Sequence, residues 1–548
     1  MKRCIWMCAG LALAAAQAGL VEETHSKPVL AVSVEVAPFA DVRQKLTSFG
    51  TLVNNPIVPM ALVPAIQSAI EENMGNLRPD AAIKVCAYVY QPAWQIAVTS
   101  EVAYAAEDLM KTEVVYVDPP KSPRPLVRAE ITAVGLAAFD DYISQGEEEG
   151  RRARNAMGDG ISLFDRWLRL CDENKDPAME VDLHAYARAA FTCDLDPRFG
   201  LSLDFVMEPR PGMKISPVAG SRLPAGALDG VPDNAPAVVA CNDRVASLCR
   251  DETEWKTSCE SSARIAEGLV RHALKQPNVR KYEPVLNGLV AACAAYVRST
   301  PFPAPADWSV CALAFGPRRE PYFVLDGVAA AARQMDALDA RFLDAVAAAV
   351  EKQWPGRGLV RASAGRLTVD YAAALDVAAA EAQVKGADRE LAKAKHRLGA
   401  ILGSTTGELA VVPLAGTAHA AIYGPAGFCR PALSKPTGEA RLAAMLPETA
   451  ADRPSSAGWL SCYALARDFV LPVAAEFVSK KDQALYRSMV QALPGAGPAS
   501  AIAGAYWART DGSHRFLLRV TADELKNYGA VYNGAAAAWL RLGSFSGK

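Results

Sequence analysis

The sequence of 548 residues lacks the local motifs that mark common catalytic and cofactor sites. It has no GxSxG elbow, HExxH helix, P-loop or GxGxxG turn. It has no CxxC, which argues against a zinc ribbon or a thioredoxin-type redox pair. Only six histidines occur in the chain. These absences favour a non-enzymatic protein with no cofactor and no metal, although the members of a triad or a carboxylate pair need not be neighbours in sequence.

The sequence also lacks an excess of one charge and long apolar runs after the N-terminus. Lysine and arginine number 58 against 60 acidic residues, so the net charge is -2. Such a balance does not attract nucleic acid or an anionic membrane. The longest apolar candidate, residues 328–350, is interrupted by five charged residues. We therefore expect no nucleic-acid partner and no membrane span in the mature chain.

Residues 1–18 are typical of a cleavable secretory signal. Lys2 and Arg3 precede an apolar stretch that ends at Ala16, and the final AQA matches the pattern of a signal-peptidase site. The expected mature chain is exported and works in the bacterial periplasm or outside the cell. Retention of the segment as an uncleaved anchor is the alternative.

Ten cysteines remain in the mature chain. Exported proteins with many cysteines usually oxidise some of them, and an even number permits full pairing. Cys241, Cys249 and Cys259 lie close together in sequence, so a local disulfide among them is expected. The connectivity of the others does not follow from the sequence.

One pattern of a strand, a Gly or Pro turn, a second strand and a helix occurs three times. The three copies lie at residues 82–110, 308–338 and 500–530. Two landmarks keep their spacing between the first two copies, since Cys86 to Cys311 is 225 residues and Ser100 to Asp326 is 226. Each copy also follows another apolar strand and a helical stretch. The repeated unit is therefore strand, helices, hairpin, helix.

The junction between the second strand and the helix has the same chemistry in all three copies. Ser100, Asp326 and Thr521 are predicted N-caps, because their side-chain oxygens can accept hydrogen bonds from first-turn amides. Thr521 and Glu524 also match a capping box. The dipeptide Asp511-Gly512 is the clearest hairpin turn.

The first two copies share a further element after the hairpin. Residues 126–129 and 359–362 both read LVRA, whereas the chain ends before a third such element. Arg128 and Arg361 therefore coincide. They are interpreted either as anion-binding arms or, more simply, as charges of an ion pair or an edge strand.

Together these patterns predict an α+β fold made of tandem repeats of a strand–helices–β-hairpin–helix unit. The sheets are expected to be antiparallel, with helices packed on one face. The predicted boundaries are 28–230 for the first unit, 231–450 for the second and 451–548 for a shortened third. Some hairpin strands are apolar on both sides, as at residues 85–88, which predicts central strands covered twice.

Two groups of residues are candidates for chemistry. Cys86 and Cys311 occupy equivalent positions, but the third copy has Gly504 there, which indicates a need for small size or a structural disulfide more than a functional thiol. The second group has no zinc-like spacing, so a metal is not expected there. Its members are His184, Cys193, Asp194 and Asp196.

The leading hypothesis is a non-enzymatic binding or scaffold protein of the periplasm or cell surface, with an envelope protein, polymer or lipid as partner. One alternative is an envelope-polymer hydrolase that uses dispersed carboxylates. A deep cleft with two carboxylates about 5–10 Å apart would favour it. The second alternative is a lipid or hydrophobic-ligand binding protein, which an enclosed apolar pocket would favour.

Overall fold

The computed structural model describes the chain in segments between residues 29 and 545. The described residues are 29–55, 60–61, 63–74, 82–90, 95–101, 125–137, 139–140, 152, 166–167, 170, 173, 183–212, 219–232, 234–247, 249–316, 320–382, 388–413, 416–426 and 438–545. The predicted signal at residues 1–18 lies outside them.

The described residues form sixteen strands. In chain order they are β1 Val29–Val36, β2 Ile83–Tyr90, β3 Gln95–Glu101, β4 Val127–Thr132, β5 Tyr186–Asp196, β6 Gly200–Pro209, β7 Ala237–Asn242, β8 Trp308–Phe315, β9 Pro321–Val328, β10 Val360–Ser363, β11 Arg366–Asp370, β12 Thr406–Pro413, β13 Ala418–Pro425, β14 Ser456–Leu460, β15 Ile502–Ala508 and β16 His514–Val520.

Helices connect most of these strands. They are α1 Phe39–Leu52, α2 Val63–Met74, α3 Asp243–Ala246, α4 Glu252–Ala273, α5 Pro277–Arg280, α6 Glu283–Ser299, α7 Ala332–Gln353, α8 Tyr371–Glu381, α9 Asp388–Leu402, α10 Gly438–Met445, α11 Glu448–Ala451, α12 Cys462–Leu465, α13 Leu471–Ala475, α14 Lys480–Gln491 and α15 Ala522–Phe545. A 3-10 turn spans Leu183–Ala185, and a π-helical segment spans Ala466–Val470. Among the described residues, no helix has the length and apolar character needed to cross a membrane.

The chain folds into two compact units. Unit 1 comprises residues 1–146, 182–215 and 493–548, and unit 2 comprises residues 147–181 and 216–492. The sheet of unit 1 has the strand order β3-β2-β1-β4-β5-β6-β16-β15, and the sheet of unit 2 has the order β10-β11-β12-β13-β9-β8-β7-β14. Neighbouring strands within each unit pair antiparallel. The prediction of an α+β fold with antiparallel sheets is confirmed, whereas the boundaries after residues 230 and 450 remain predictions.

The sheet of unit 2 has one buried face. Along β7, Val238 is 1% exposed and Ala240 is 0% exposed, whereas Val239 between them is 62% exposed. The same alternation of buried and exposed residues continues along β8 and β9. Small residues such as Ala240, Ala312 and Ala314 are common on the buried face. Helices α4, α6 and α7 pack on one another, and α7 contacts β10 to β13.

The second hairpin, β8–β9, is therefore covered on one face only. Cys311 and Phe323 both point to the other face and are exposed. The expectation that hairpin strands are covered twice is wrong for this copy, because apolar residues on both faces mark an open apolar surface here. The side chains of residues 85–88, on which that expectation was based, lie outside the described residues.

In four places a polar side chain at the end of a strand, or just after it, caps the helix that follows that strand. Thr132 at the end of β4, where helical residues 133–137 follow, Asn242 at the end of β7, Asp370 at the end of β11 and Ser461 after β14 each accept a hydrogen bond from a first-turn amide. Such caps satisfy amides that have no partner inside the helix, typically contributing about 1 kcal/mol each. In these four places the cap marks where the helical stretch begins, whereas α1 after β1 has Pro38 at the N-cap position and no side-chain cap.

The three N-caps expected from sequence have different outcomes. Thr521 precedes α15, and the amide of Glu524 donates to Thr521 Oγ1 at 3.3 Å, which is N-cap geometry. Asp326 is not a cap, because β9 continues to Val328 and α7 begins only at Ala332, with Ala331 at the N-cap position. Ser100 lies in β3, and the helix expected after it lies outside the described residues.

The capping box predicted for Thr521 and Glu524 forms only in part. The backbone amide of Thr521 donates to the carbonyl of Ala501 and not to the Glu524 carboxylate. That carboxylate accepts instead from the hydroxyl of Ser500 and is fully buried. Glu524 therefore ties the start of α15 to Ser500, two residues before β15.

No disulfide joins the cysteines whose side chains the structure describes. Cys241 lies in β7, Cys249 in the loop after α3 and Cys259 inside α4. The expectation of a local disulfide among them is wrong, because these three elements do not bring two sulfur atoms within bonding distance. Closeness in sequence is a poor guide here, since a strand, a loop and a helix separate the three thiols.

Candidate functional site

An open apolar surface lies on the sheet of unit 2. Directly opposed residues of antiparallel strands share one face, so the register defines its composition. One row across β14, β7, β8, β9 and β13 is Leu460, Ala237, Leu313, Phe323 and Tyr423. The adjacent row is Gly458, Val239, Cys311, Leu325 and Ala421. We call these ten residues the open face.

The open face is exposed and uncharged. Phe323 is 45% exposed, and Leu325 and Leu460 are each 39% exposed. The rings of Phe323 and Tyr423 lie 6.3 Å apart, so the aromatic contact continues across β9 and β13. None of the ten residues carries a charge. A monomeric soluble protein seldom exposes an apolar patch of this kind unless it serves for contact with another molecule.

The geometry limits what the open face can do chemically. The backbone amides and carbonyls of the five strands are used in pairing with their neighbours, so contact with a partner depends on side chains. Apolar side chains neither transfer protons nor ligate metals. The surface can therefore bind a partner by burial of apolar area.

The structure places only Cys311 of the predicted site residues on the open face. Partial burial raises the pKa of its thiol, so it is not an activated nucleophile. Cys86 lies in β2 opposite Ser33 and Thr99, and its side chain lies outside the described part of the chain. Cys86 belongs to unit 1 and Cys311 to unit 2.

The sequence cluster around β5 is structural. His184 lies 3.4 Å from Asp140, and Asp194 forms an ion pair with Lys45 of α1. Asp196 accepts from the backbone amide of Arg198 at 2.7 Å, which shapes the turn into β6. No group of His, Cys, Asp and Glu that could hold a metal ion occurs among the described residues.

The two coincident arginines are also plain surface charges. Arg128 in β4 pairs with Glu130 at 2.5 Å, and its side chain is 52% exposed. Arg361 lies in β10, which is the edge strand of the sheet of unit 2. These places match the interpretation as ion-pair and edge-strand charges.

Sequence reasoning missed a buried polar cluster between α6, α7 and β13. The Tyr296 hydroxyl donates to Asp339 at 2.7 Å, and burial raises the pKa of both Asp336 and Asp339. Nδ1 of His419, which is 9% exposed, makes no hydrogen bond. These residues are far apart in sequence, so only the fold unites them. The contact of Tyr296 with Asp339 joins two helices, which indicates a structural role.

No family model, curated protein or solved structure matches this chain. The features that bear on function are therefore those of the molecule itself.

Proposed function

We propose that this chain is an exported, non-enzymatic scaffold protein that assembles with a second copy of itself through the open face of unit 2. The observation that carries the proposal is the uncharged double row of exposed apolar side chains across five strands. Two sheets that pack face to face lie about 10 Å apart and interdigitate their side chains. In such a contact the sheet of the second copy would bury the open face.

The arrangement of large and small residues favours a second copy as the occupant. On β14, β8 and β13 a large residue stands beside a small one, as Tyr423 does beside Ala421. On β7, Val239 stands beside Ala237, whereas both open-face residues of β9 are large, so four of the five strands carry a large residue beside a small one. An identical face related by a two-fold axis can place large side chains over small ones. Two uncharged faces also meet without burying an unpaired charge.

The proposal includes a tandem architecture with more copies than the three expected from sequence. The order of strand, helical stretch and hairpin occurs at β1–β3, β4–β6, β7–β9, β11–β13 and β14–β16. In the first four sets the three strands pair as antiparallel neighbours. The repeated N-caps after the first strand support common ancestry of these sets. The first LVRA segment, at residues 126–129, then lies at the start of the β4–β6 set, whereas the second, at residues 359–362, lies in β10 just before the β11–β13 set.

The two alternative functions have weaker support. A hydrolase would need two carboxylates in a cleft, and a cavity of about 420 Å³ in unit 2 has one carboxylate, Glu173, among its eight lining residues. A lipid-binding protein would need an enclosed apolar pocket, whereas the open face is an exposed sheet surface. The flat shape of the open face suits another flat protein surface better than a small ligand.

Phe323→Glu is expected to weaken self-association at least about tenfold, because a two-fold contact would bury an unpaired carboxylate from each copy. The measurement is sedimentation equilibrium of the mature chain over a range of concentrations. The wild-type mass should rise towards twice that of the chain, and the variant should stay near the monomer. Phe323 is exposed, so the substitution should change the free energy of unfolding by less than about 1 kcal/mol.

Phe477→Glu is the matched control, because Phe477 is 60% exposed but lies outside the sheet. It introduces the same charge in unit 2 and should leave the association constant unchanged within about twofold. A wild-type chain that stays monomeric at about 100 μM would overturn the proposal. Equal weakening by both variants would do the same, since the effect would then come from net charge.

A further inference from the structure

A second surface of unit 2 has the opposite character to the open face. A cavity of about 420 Å³ lies between α4 and a second segment, of which the described residues 166–167, 170 and 173 are helical. The α4 side contributes residues spaced along one helical face, and they continue into the turn after it. The lining residues are Arg166, Leu170, Glu173, Arg264, Gly268, Arg271, His272 and Lys275.

The floor of the cavity is apolar and depends on a glycine. A β-carbon at Gly268 would lie 2.6 Å and 2.8 Å from the two methyl groups of Leu170. Leu170 is 4% exposed, so it has little space to move away. Gly268 thus allows Leu170 to pack closely against α4.

The lining has a strong positive charge. Four cations stand against one carboxylate, which gives a formal charge of +3 with His272 neutral, in a chain whose net charge is -2. Arg166 lies 3.5 Å from Glu173, so that carboxylate is already close to one cation. The Nε of Arg271 donates to the backbone carbonyl of Glu267 at 3.4 Å. Because this acceptor is neutral, the contact does not neutralise the charge of Arg271.

Carboxylates near the cavity are engaged by a cation outside it. Glu260 accepts from Arg264 at 2.9 Å and from Arg298 at 2.6 Å, and these contacts lower its pKa to about 2. Glu267 lies 3.1 Å from Arg298. Arg298 does not line the cavity. Arg298 therefore pairs with both Glu260 and Glu267, the acidic side chains of α4 that could otherwise pair with the cations of the cavity.

The helix dipole explains only part of this arrangement. Cations near a helix C-terminus are stabilised by the exposed carbonyls, which accounts for Arg271, His272 and Lys275. It does not account for Arg264, which lies more than two turns from the end of α4, or for Arg166 on the opposite wall. Cations from two chain segments that surround one cavity repel each other unless an anion lies between them.

We propose that this cavity binds a small, multiply charged oxyanion, either a phosphorylated molecule or a polycarboxylate. Arginine guanidinium groups present donors in a fork that matches both groups. The volume corresponds to roughly a dozen non-hydrogen atoms, more than a lone phosphate occupies. The apolar floor at Leu170 would contact the carbon portion of the ligand. This site is separate from the open face, and its ligand does not depend on self-association.

Isothermal titration calorimetry of the full mature chain with pyrophosphate and with citrate tests this proposal. We expect saturable binding of at least one of the two, with one site per chain and an affinity that falls as salt is added. Arg271→Gln should weaken the binding about tenfold, because a charge-assisted hydrogen bond to the anion is lost. Binding of pyrophosphate alone would identify the ligand as phosphorylated, and binding of citrate alone would identify it as a polycarboxylate.

Lys256→Gln is the matched control on the same helix. Lys256 pairs with Glu252 at 2.8 Å, its side chain is 73% exposed, and it does not line the cavity. The affinity of this variant should match that of the wild type within about twofold. An equal loss in both variants would overturn the proposal, since it would indicate non-specific attraction. Absence of saturable binding of either anion up to about 10 mM would also overturn it.

Discussion

Gly529→Ala is expected to destabilise the protein by about 2 kcal/mol, although alanine is the better helix former. A β-carbon at Gly529 in α15 would lie 2.0 Å from the carbonyl oxygen of Val53 at the end of α1. The obstacle is backbone, so a change of rotamer cannot relieve it. Overpacking of this kind costs about 3 kcal/mol, while the gain in helix propensity is about 1 kcal/mol. The steric cost therefore exceeds the propensity gain.

Thermal unfolding measures this effect, and Gly399→Ala supplies a control of opposite sign. Gly399 lies inside α9, and a β-carbon there would lie 3.5 Å from the methyl group of Thr405, which is an ordinary contact. Alanine at this position should stabilise by up to about 1 kcal/mol. If Gly529→Ala raised the Tm as Gly399→Ala does, the close approach of α15 to α1 would be contradicted.

Ser500→Ala should cost about 2–3 kcal/mol, because it removes one hydroxyl that serves two buried partners. Ser500 Oγ donates to the Glu524 carboxylate and accepts from Asn527 Nδ2 at 2.9 Å. Ser500 and Glu524 are fully buried, and Asn527 is 8% exposed. Alanine leaves an unsatisfied donor and weakens the solvation of a buried carboxylate. The expected decrease in Tm is about 5–10 °C.

A double-mutant cycle with Asn527→Ala distinguishes the loss of these hydrogen bonds from a simple loss of side-chain volume. The two substitutions share a hydrogen bond, so their effects should be non-additive by at least about 0.5 kcal/mol. Additive effects, or a loss below about 0.5 kcal/mol for Ser500→Ala alone, would mean that the buried network contributes little to stability.

The local parts of the fold could be predicted from sequence. The hairpin at Asp511-Gly512 forms as expected, with Gly512 at a φ of +81° and Asp511 accepting from the amide of Ser513. The cap at Thr521 also follows from local chemistry, because an N-cap needs only the residue before the helix and the first-turn amides. The cap assigned to Asp326 failed because β9 continues for two further residues before α7 begins.

The candidate sites could not be predicted, because each depends on contacts between distant residues. The open face joins strands from residues 237 to 460, so its composition follows from the pairing of distant segments. Alternation in β7 shows two apolar faces without showing which one is open. The cavity likewise joins Arg166 to Arg271, which are 105 residues apart.

The central claim, that two copies pack through the open face, is tested most directly by the reactivity of its own cysteine. Cys311 lies within the open face and Cys293 lies on α6, and both are exposed in the single chain. A brief maleimide pulse across a concentration series, read by peptide mass spectrometry, compares the two thiols. Cys311 should become protected as concentration rises, while Cys293 keeps its reactivity. A reactivity of Cys311 that stays constant relative to that of Cys293 across the concentration series would contradict the account.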